Sequence, residues 1–293
     1  MPASIALPCR QPYDWPAIRD FVAGRAIPGV ETVAENFYAR TITVGDRAGY
    51  IAIRPDRDGL VAVVQGVAGR DVPGVAARLR RLFDCDADAA AIGAHLSTDP
   101  HLAPLVDARP GLRVPGAWSG FELGVRAILG QQVSVAAATR LAGRLVAELG
   151  APLPVASGPG LTHVFPDPDR VAAADVAKIL MMPRARGVAI QALAAASLAE
   201  PDLFAPEQDL ATAIGRLTAI RGIGPWTAQY IAMRALRAPD ALPPGDIGLL
   251  RALDTGAGRP SAAGLMLRAE PWRPYRAYAA MHLWASDAER MAV

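Results

Sequence analysis

Lysine is almost missing from this chain of 293 residues: Lys178 is the only one among 30 basic residues, and the rest are arginine. Chemistry that runs through a Schiff base therefore has one side chain, or the amino terminus, to work with. Cysteine is nearly as scarce. Cys9 and Cys85 make no Cys-x-x-Cys pair and no disulfide framework. The four histidines (His95, His101, His163, His282) are scattered, which argues against a zinc site of ordinary spacing. No apolar run reaches the length of a membrane span, and the opening MPASIALPCRQPYDW lacks a charged-then-apolar leader pattern. An intracellular, cytoplasmic protein with no membrane partner is expected. Nor is either charge in large excess. A net charge of +2 means that any face for a polyanion has to come from local clustering.

What is present is a composition fit for a packed core, 52% apolar and 20% charged, on a chain long enough for two or three subdomains. Asp14-Trp15-Pro16 suits a helix start, with Ile18, Phe21 and Val22 as its apolar face. Three runs rich in β-branched and aromatic residues follow, over 37–44, 50–54 and 60–65, joined by the turns GDRAG and PDRDG. They read as an antiparallel meander, and a helix over 75–83 completes an N-terminal α+β domain. Beyond it, 89–115 reads as short helices interrupted by Pro100, Pro104 and Pro110. Ser119-Gly120-Phe121-Glu122 is a capping box ahead of a helix that meets Gly130-Gln131-Gln132. A helix from Ser134 to Leu149, a Pro/Gly-rich loop over 151–160, helices capped by Asp169 and Asp175, and a helix over 185–198 come next.

The most informative stretch is TAIRGIGPWTAQYIAMRALRAPDALPP, running from Thr218 to Pro244. Leu210, Ile214 and Leu217 before the turn, and Trp226, Tyr230 and Met233 after it, recur at helical spacing. Gly222-Ile223-Gly224 is expected to turn tightly with positive φ, and Pro225 suits the first turn of the second helix. Amides freed at such a helix start are a seat for phosphate, although the pattern alone also describes an ordinary helical corner.

Trp226 and Tyr230 share one helix face, and Trp284 on the final helix can return against them. Such rings can be core, or they can hold a planar base, above all a positively charged one. Asp246, after Pro243-Pro244-Gly245, can be a plain helix cap. Alternatively, it is a carboxylate set beside a developing sugar cation.

Four stretches carry a resemblance. LTAIRGIGPWTAQYIAMRAL with PGD after it resembles the helix–hairpin–helix–Gly/Pro–Asp superfamily of DNA base-excision glycosylases. PYDWPAIRDFVAGRAIPGVETVAENFYART, GVRAILGQQVSVAAATRLAGRL and WRPYRAYAAMHLW resemble, more narrowly, the AlkA-type DNA-3-methyladenine glycosylase II family. The likeness runs from about Pro12 to Trp284. It implies a mainly α fold with an N-terminal α+β domain, in three subdomains. These are 1–88, then 119–238 with the hairpin, and a discontinuous third from 89–118 and 239–293 that carries the aspartate.

The implied activity is that of a monofunctional, monomeric glycosylase. It flips alkylated bases such as 3-methyladenine out of double-stranded DNA and hydrolyses the N-glycosidic bond. By position, Asp246 takes the catalytic place, and Trp226, Tyr230, Trp284 and Phe21 take the base pocket. Gln131 and Gln132 fall where the family fills the gap left by the flipped base, and Gly222 and Gly224 where it holds the DNA backbone. The carbonyls of Thr218, Ile220 and Ile223 match a structural monovalent cation site; no catalytic cofactor is implied. Trp226 fills the slot that lyase-active relatives give to a nucleophilic lysine. Gln132 replaces an apolar wedge, and Gly245-Asp246 keeps only one carboxylate. A cationic base leaves without protonation, so neutral damaged bases are expected to leave more slowly. The competing readings are a non-catalytic helix–hairpin–helix DNA-binding module and a bifunctional glycosylase/lyase.

Overall fold

The computed structural model describes residues 2–157, 160–206, 208–254, 256 and 258–292. The chain opens with β1 (Ala3–Pro8), α1 (Trp15–Ala23), β2 (Glu31–Ala34), β3 (Phe37–Val44), β4 (Arg47–Asp56), β5 (Gly59–Gln65) and α2 (Val72–Leu82). The strands form one antiparallel sheet in the order β1-β5-β4-β3-β2. The meander is there as expected, but the sheet has two further edge strands. β1 lacks the β-branched density that marks a strand in sequence, and β2 is only four residues long. Ile18 and Val22 of α1 and Val75 and Leu79 of α2 cover one face of the sheet, against Tyr38, Ile51, Ile53 and Leu60. Alternation along β4 and β5 supplies most of that apolar face.

The rest is mainly helical. It comprises α3 (Ala89–Leu96), α4 (Ala103–Ala108), α5 (Gly120–Leu129), α6 (Val135–Leu149), β6 (Pro152–Ser157), β7 (Leu161–His163), α7 (Pro168–Ala173), α8 (Val176–Leu180) and α9 (Arg184–Ala199). The hairpin helices α10 (Leu210–Ala219) and α11 (Pro225–Arg234) follow, then α12 (Ile247–Ala252), α13 (Ala262–Arg268) and α14 (Arg276–Ala292). The helix starts were readable because Ser119, Ser134, Asp175, Asp209 and Asp246 each accept an amide three residues on.

Three expectations need correction. The Pro/Gly-rich stretch at 151–160 is not all loop: β6 pairs with β7, and residues 158 and 159 lie outside the described residues. Asp169 does not cap its helix. Asp167 is the cap residue, and Asp169 sits in the first turn, where a negative charge suits the helix dipole. The capping box at Ser119 is only half made, because Glu122 turns away into a buried ionic cluster. There it accepts from Arg40 of β3 at 2.5 Å and from Arg126 at 3.1 Å, while Arg126 also reaches Glu31 at 2.9 Å. The cluster joins sheet to helices. Cutting one member would strand a buried charge, which is how such a joint enforces a single docking geometry.

Candidate active site

Asp246 stands at the start of α12, half-buried, with its backbone extended so that Oδ1 accepts the Leu249 amide at 3.0 Å. That is the plain capping role, and it accounts for one of four acceptor positions on the carboxylate. Two more are filled by indoles. Trp226 Nε1 of α11 donates to Oδ2 at 2.9 Å, and Trp284 Nε1 of α14 donates to Oδ1 at 2.9 Å. Among the described residues, the second lone-pair direction of Oδ2 meets no donor. Three donors from three helices fix the plane of the group, and α14 is held against α12 by Arg251–Asp287 at 2.9 and 2.5 Å.

The rings make a wall rather than a slot. Trp226 lies nearly parallel to Tyr230, with centroids 5.3 Å apart and an interplanar angle of 7°. Trp284 approaches Tyr230 at 6.2 Å and 59°. Rings stacked at contact distance leave no room for a planar guest between them, so one has to meet an outer face of the pair or of Trp284.

Phe21, from α1, reaches the same neighbourhood but is already engaged. The Arg25 guanidinium carbon sits 3.8 Å from its ring centroid and that of Arg234 sits 4.8 Å away. Burial alone would push the Tyr230 phenol up. The guanidiniums of Arg234 and Arg25 outweigh it, and the hydrogen bond from Arg234 Nη1 at 2.7 Å adds to them, so its pKa lies below the ordinary phenol value.

The two glutamines part company. Gln131 points inward: its Nε2 donates to Gly222 O and to Thr227 Oγ1, both at 3.1 Å, and Arg186 of α9 donates to its carbonyl at 2.8 Å. It is a strut tying the 130–134 turn to the hairpin. Gln132 is exposed at the apex with φ +59°, free to project. In the hairpin itself only Gly222 has positive φ, +87°. Gly224 adopts φ −89° and ψ 175° as the residue preceding α11, so the expectation of left-handed backbone there was wrong.

Arg25, Arg234 and Gly248 were not singled out from the sequence. The two arginines each fall four residues after one of the singled-out aromatics, Phe21 and Tyr230, and that spacing could have flagged them. Gly248 had no such signal. A Cβ there would lie 3.1 Å from Trp284 Cδ1 and 3.2 Å from Asp246 Oδ1.

Two family models match this architecture. One, described as the AlkA N-terminal domain, covers residues 4–119, and one described as HhH-GPD superfamily base excision DNA repair protein covers 125–263. The DNA-3-methyladenine glycosylase 2 of Escherichia coli is 37% identical over 94% of this chain and 95% of its own length. The chain belongs to the HhH-GPD superfamily of base excision DNA repair proteins. Within this superfamily it is also 39% identical, over 97% of its length, to a Mycobacterium tuberculosis protein named as a probable bifunctional transcriptional activator/DNA repair enzyme AlkA. It spans 57% of the length of that relative. A solved 3-methyladenine DNA-glycosylase from Archaeoglobus fulgidus shares the HhH-GPD fold with a TM-score of 0.85 at 22% identity, covering 99% of this chain and 100% of that one.

Proposed function

We propose that this HhH-GPD protein is a monofunctional DNA glycosylase that excises N-alkylated purines such as 3-methyladenine, acting as a monomer on double-stranded DNA. The observation that carries the reading is the state of Asp246: a half-buried carboxylate oriented by two indoles, with one acceptor position open, set against an aromatic wall. A mere cap has no need of the indoles. As the C1′–N bond of an everted nucleotide breaks, the electron pair leaves on the base and the sugar becomes cationic; a fixed carboxylate stabilises that cation. The open position on Oδ2 suits a water, whose oxygen then bonds to C1′ while a proton passes to the carboxylate.

Water is the nucleophile in this reading because no lysine stands at the site. Trp226 takes the lysine slot of lyases, and Lys178 lies on α8. Gln132 is read as the side chain that fills the duplex, steadied from behind by Gln131, and the amides about Gly222 and Gly224 as phosphate contacts. Hairpin carbonyls fit a structural monovalent cation, since those of Thr218 and Ile223 accept no backbone N–H among the described residues, while Ile220 accepts only from Ile223. No helix among the described residues is long and apolar enough to cross a membrane.

The test is Asp246→Asn. Excision of alkylated bases should fall by about a hundredfold or more while binding to alkylated duplex persists. Undiminished excision would remove the proposal.

A further inference from the structure

Positive charge lies behind the aromatic wall, and the reaction described above does not use it. Arg234 is buried. It donates to Pro115 O at 2.8 Å, to Gly116 O at 2.9 Å and to the Tyr230 hydroxyl at 2.7 Å, all neutral acceptors. Arg25 donates to Phe21 O at 3.1 Å and lies against the same ring. Neither makes an ion pair among the described residues, whereas the nearby Arg40 and Arg126 share Glu31 and Glu122. The group as a whole therefore sets four guanidiniums against two carboxylates. Holding a cation out of water without a carboxylate partner is costly, fully for the buried Arg234 and in part for the half-buried Arg25, and a fold keeps it only where something offsets the cost.

The placement gives the site a polarity. Asp246 is negative at the end formed by Trp226 and Trp284. At the other end stand the guanidiniums of Arg25 and Arg234, the latter donating to the Tyr230 hydroxyl. The electron-rich faces of Phe21 and Tyr230 are already spent on these guanidiniums, at 3.8, 4.8 and 5.4 Å, so a cationic base gains less from them than the rings alone suggest.

We propose that Arg25 and Arg234 stabilise the negative charge on a departing neutral base and so set the ratio of neutral to cationic substrates. The inference rests on the glycosylase reading. When a neutral purine leaves, the C1′–N bond breaks heterolytically, the pair goes out on the base nitrogen and the sugar keeps the positive charge. Asp246 then faces the cation and the arginines face the anion. The attacking water gives its oxygen to C1′ and its proton, by way of Asp246, ends on the base. A cationic alkylpurine leaves as a neutral molecule, for which the arginines offer nothing and which they oppose in the bound state.

Single-turnover excision from duplexes carrying hypoxanthine (neutral) or 7-methylguanine (cationic) tests this with Arg25→Met and Arg25→Lys. Arg25→Met should lower the hypoxanthine rate relative to the 7-methylguanine rate by about tenfold, and Arg25→Lys should recover most of that ratio. A proportional loss on both lesions, an unchanged ratio, or failure of lysine to recover it overturns the inference. If the parent protein excises neither lesion, the glycosylase reading fails instead. Tryptophan fluorescence with free xanthine, at a pH where it is an anion, then decides for the wall. Weaker binding in Arg25→Met that returns in Arg25→Lys supports it, and unaltered binding in Arg25→Met overturns it.

Discussion

Asp246 combines two duties in one carboxylate. As a cap it accepts the Leu249 amide, and as an acceptor it fixes two indoles. Its amide counterpart cannot do the same. Asparagine has one acceptor oxygen and one NH2, so in Asp246→Asn one indole N–H faces another donor. Charge and orientation are lost together in that variant. Gly248 offers a way to disturb the orientation while leaving the charge in place. A methyl group there meets Trp284 Cδ1 at 3.1 Å, Asp246 Oδ1 at 3.2 Å and Asp287 Oδ2 at 3.3 Å, closer than side chains rest. One of the three has to shift by a few tenths of an ångström, and all three belong to the site or its support. Gly248→Ala should fold, with a melting temperature close to that of the parent, yet lose excision rate by roughly tenfold, a misplacement effect. Normal excision at normal stability would show that the indole–carboxylate geometry is not needed.

At the scale of elements, the hairpin separates two glycines that look alike in sequence. Gly222 has φ +87°, and a Cβ on it would lie 2.3 Å from the Ala189 Cβ of α9, which is impossible without moving the hairpin. Gly224 has ordinary backbone and nothing within 4 Å of an added Cβ. Gly222→Ala should therefore destabilise the fold by about 1–3 kcal/mol, seen as a lower melting temperature. Gly224→Ala should melt like the parent, and any weakening of DNA binding in a mobility-shift assay would report blocked access to the amides of the turn.

The helices and most of their caps could be read from the sequence because a cap is a local bargain between one side chain and one amide. The strands were only partly legible. β1 depends on β5, more than fifty residues away, and β6 is rich in proline. Likewise the ring set was legible, whereas the bonds from Trp226 and Trp284 to Asp246 were not, since no periodicity links residues on three different helices. Glu122 looked like half of a capping box and instead serves the joint between sheet and helices, a tertiary claim overriding a local one.

The molecule as a whole is exposed to acid through groups that its packing holds in one protonation state. His282, buried on α14, has its pKa lowered to about 4, chiefly by burial and also by Arg109, against a backbone bond at Leu105. Its Nδ1 finds no partner among the described residues, so protonation there would bury an N–H without an acceptor. Burial would raise the Glu31 carboxyl, but Arg126 and Arg40 hold it down to about 2.

Both shifts act in the same direction. Between the ordinary histidine value of 6.5 and about 4, the unfolded chain takes up a proton that the native His282 refuses, so stability falls as pH drops. From the ordinary glutamate value of 4.5 toward 2, the unfolded chain again binds the proton first, and the joint of Arg40, Arg126, Glu31 and Glu122 loses its contribution. The histidine step is worth about 3 kcal/mol. Melting temperature should thus decline first between pH 6.5 and 4.5, before the ionic joint is touched. His282→Phe, which fills the same space without a titrating nitrogen, should flatten that first decline and leave the loss at lower pH intact. A first decline of unchanged size in the variant would assign it to another group.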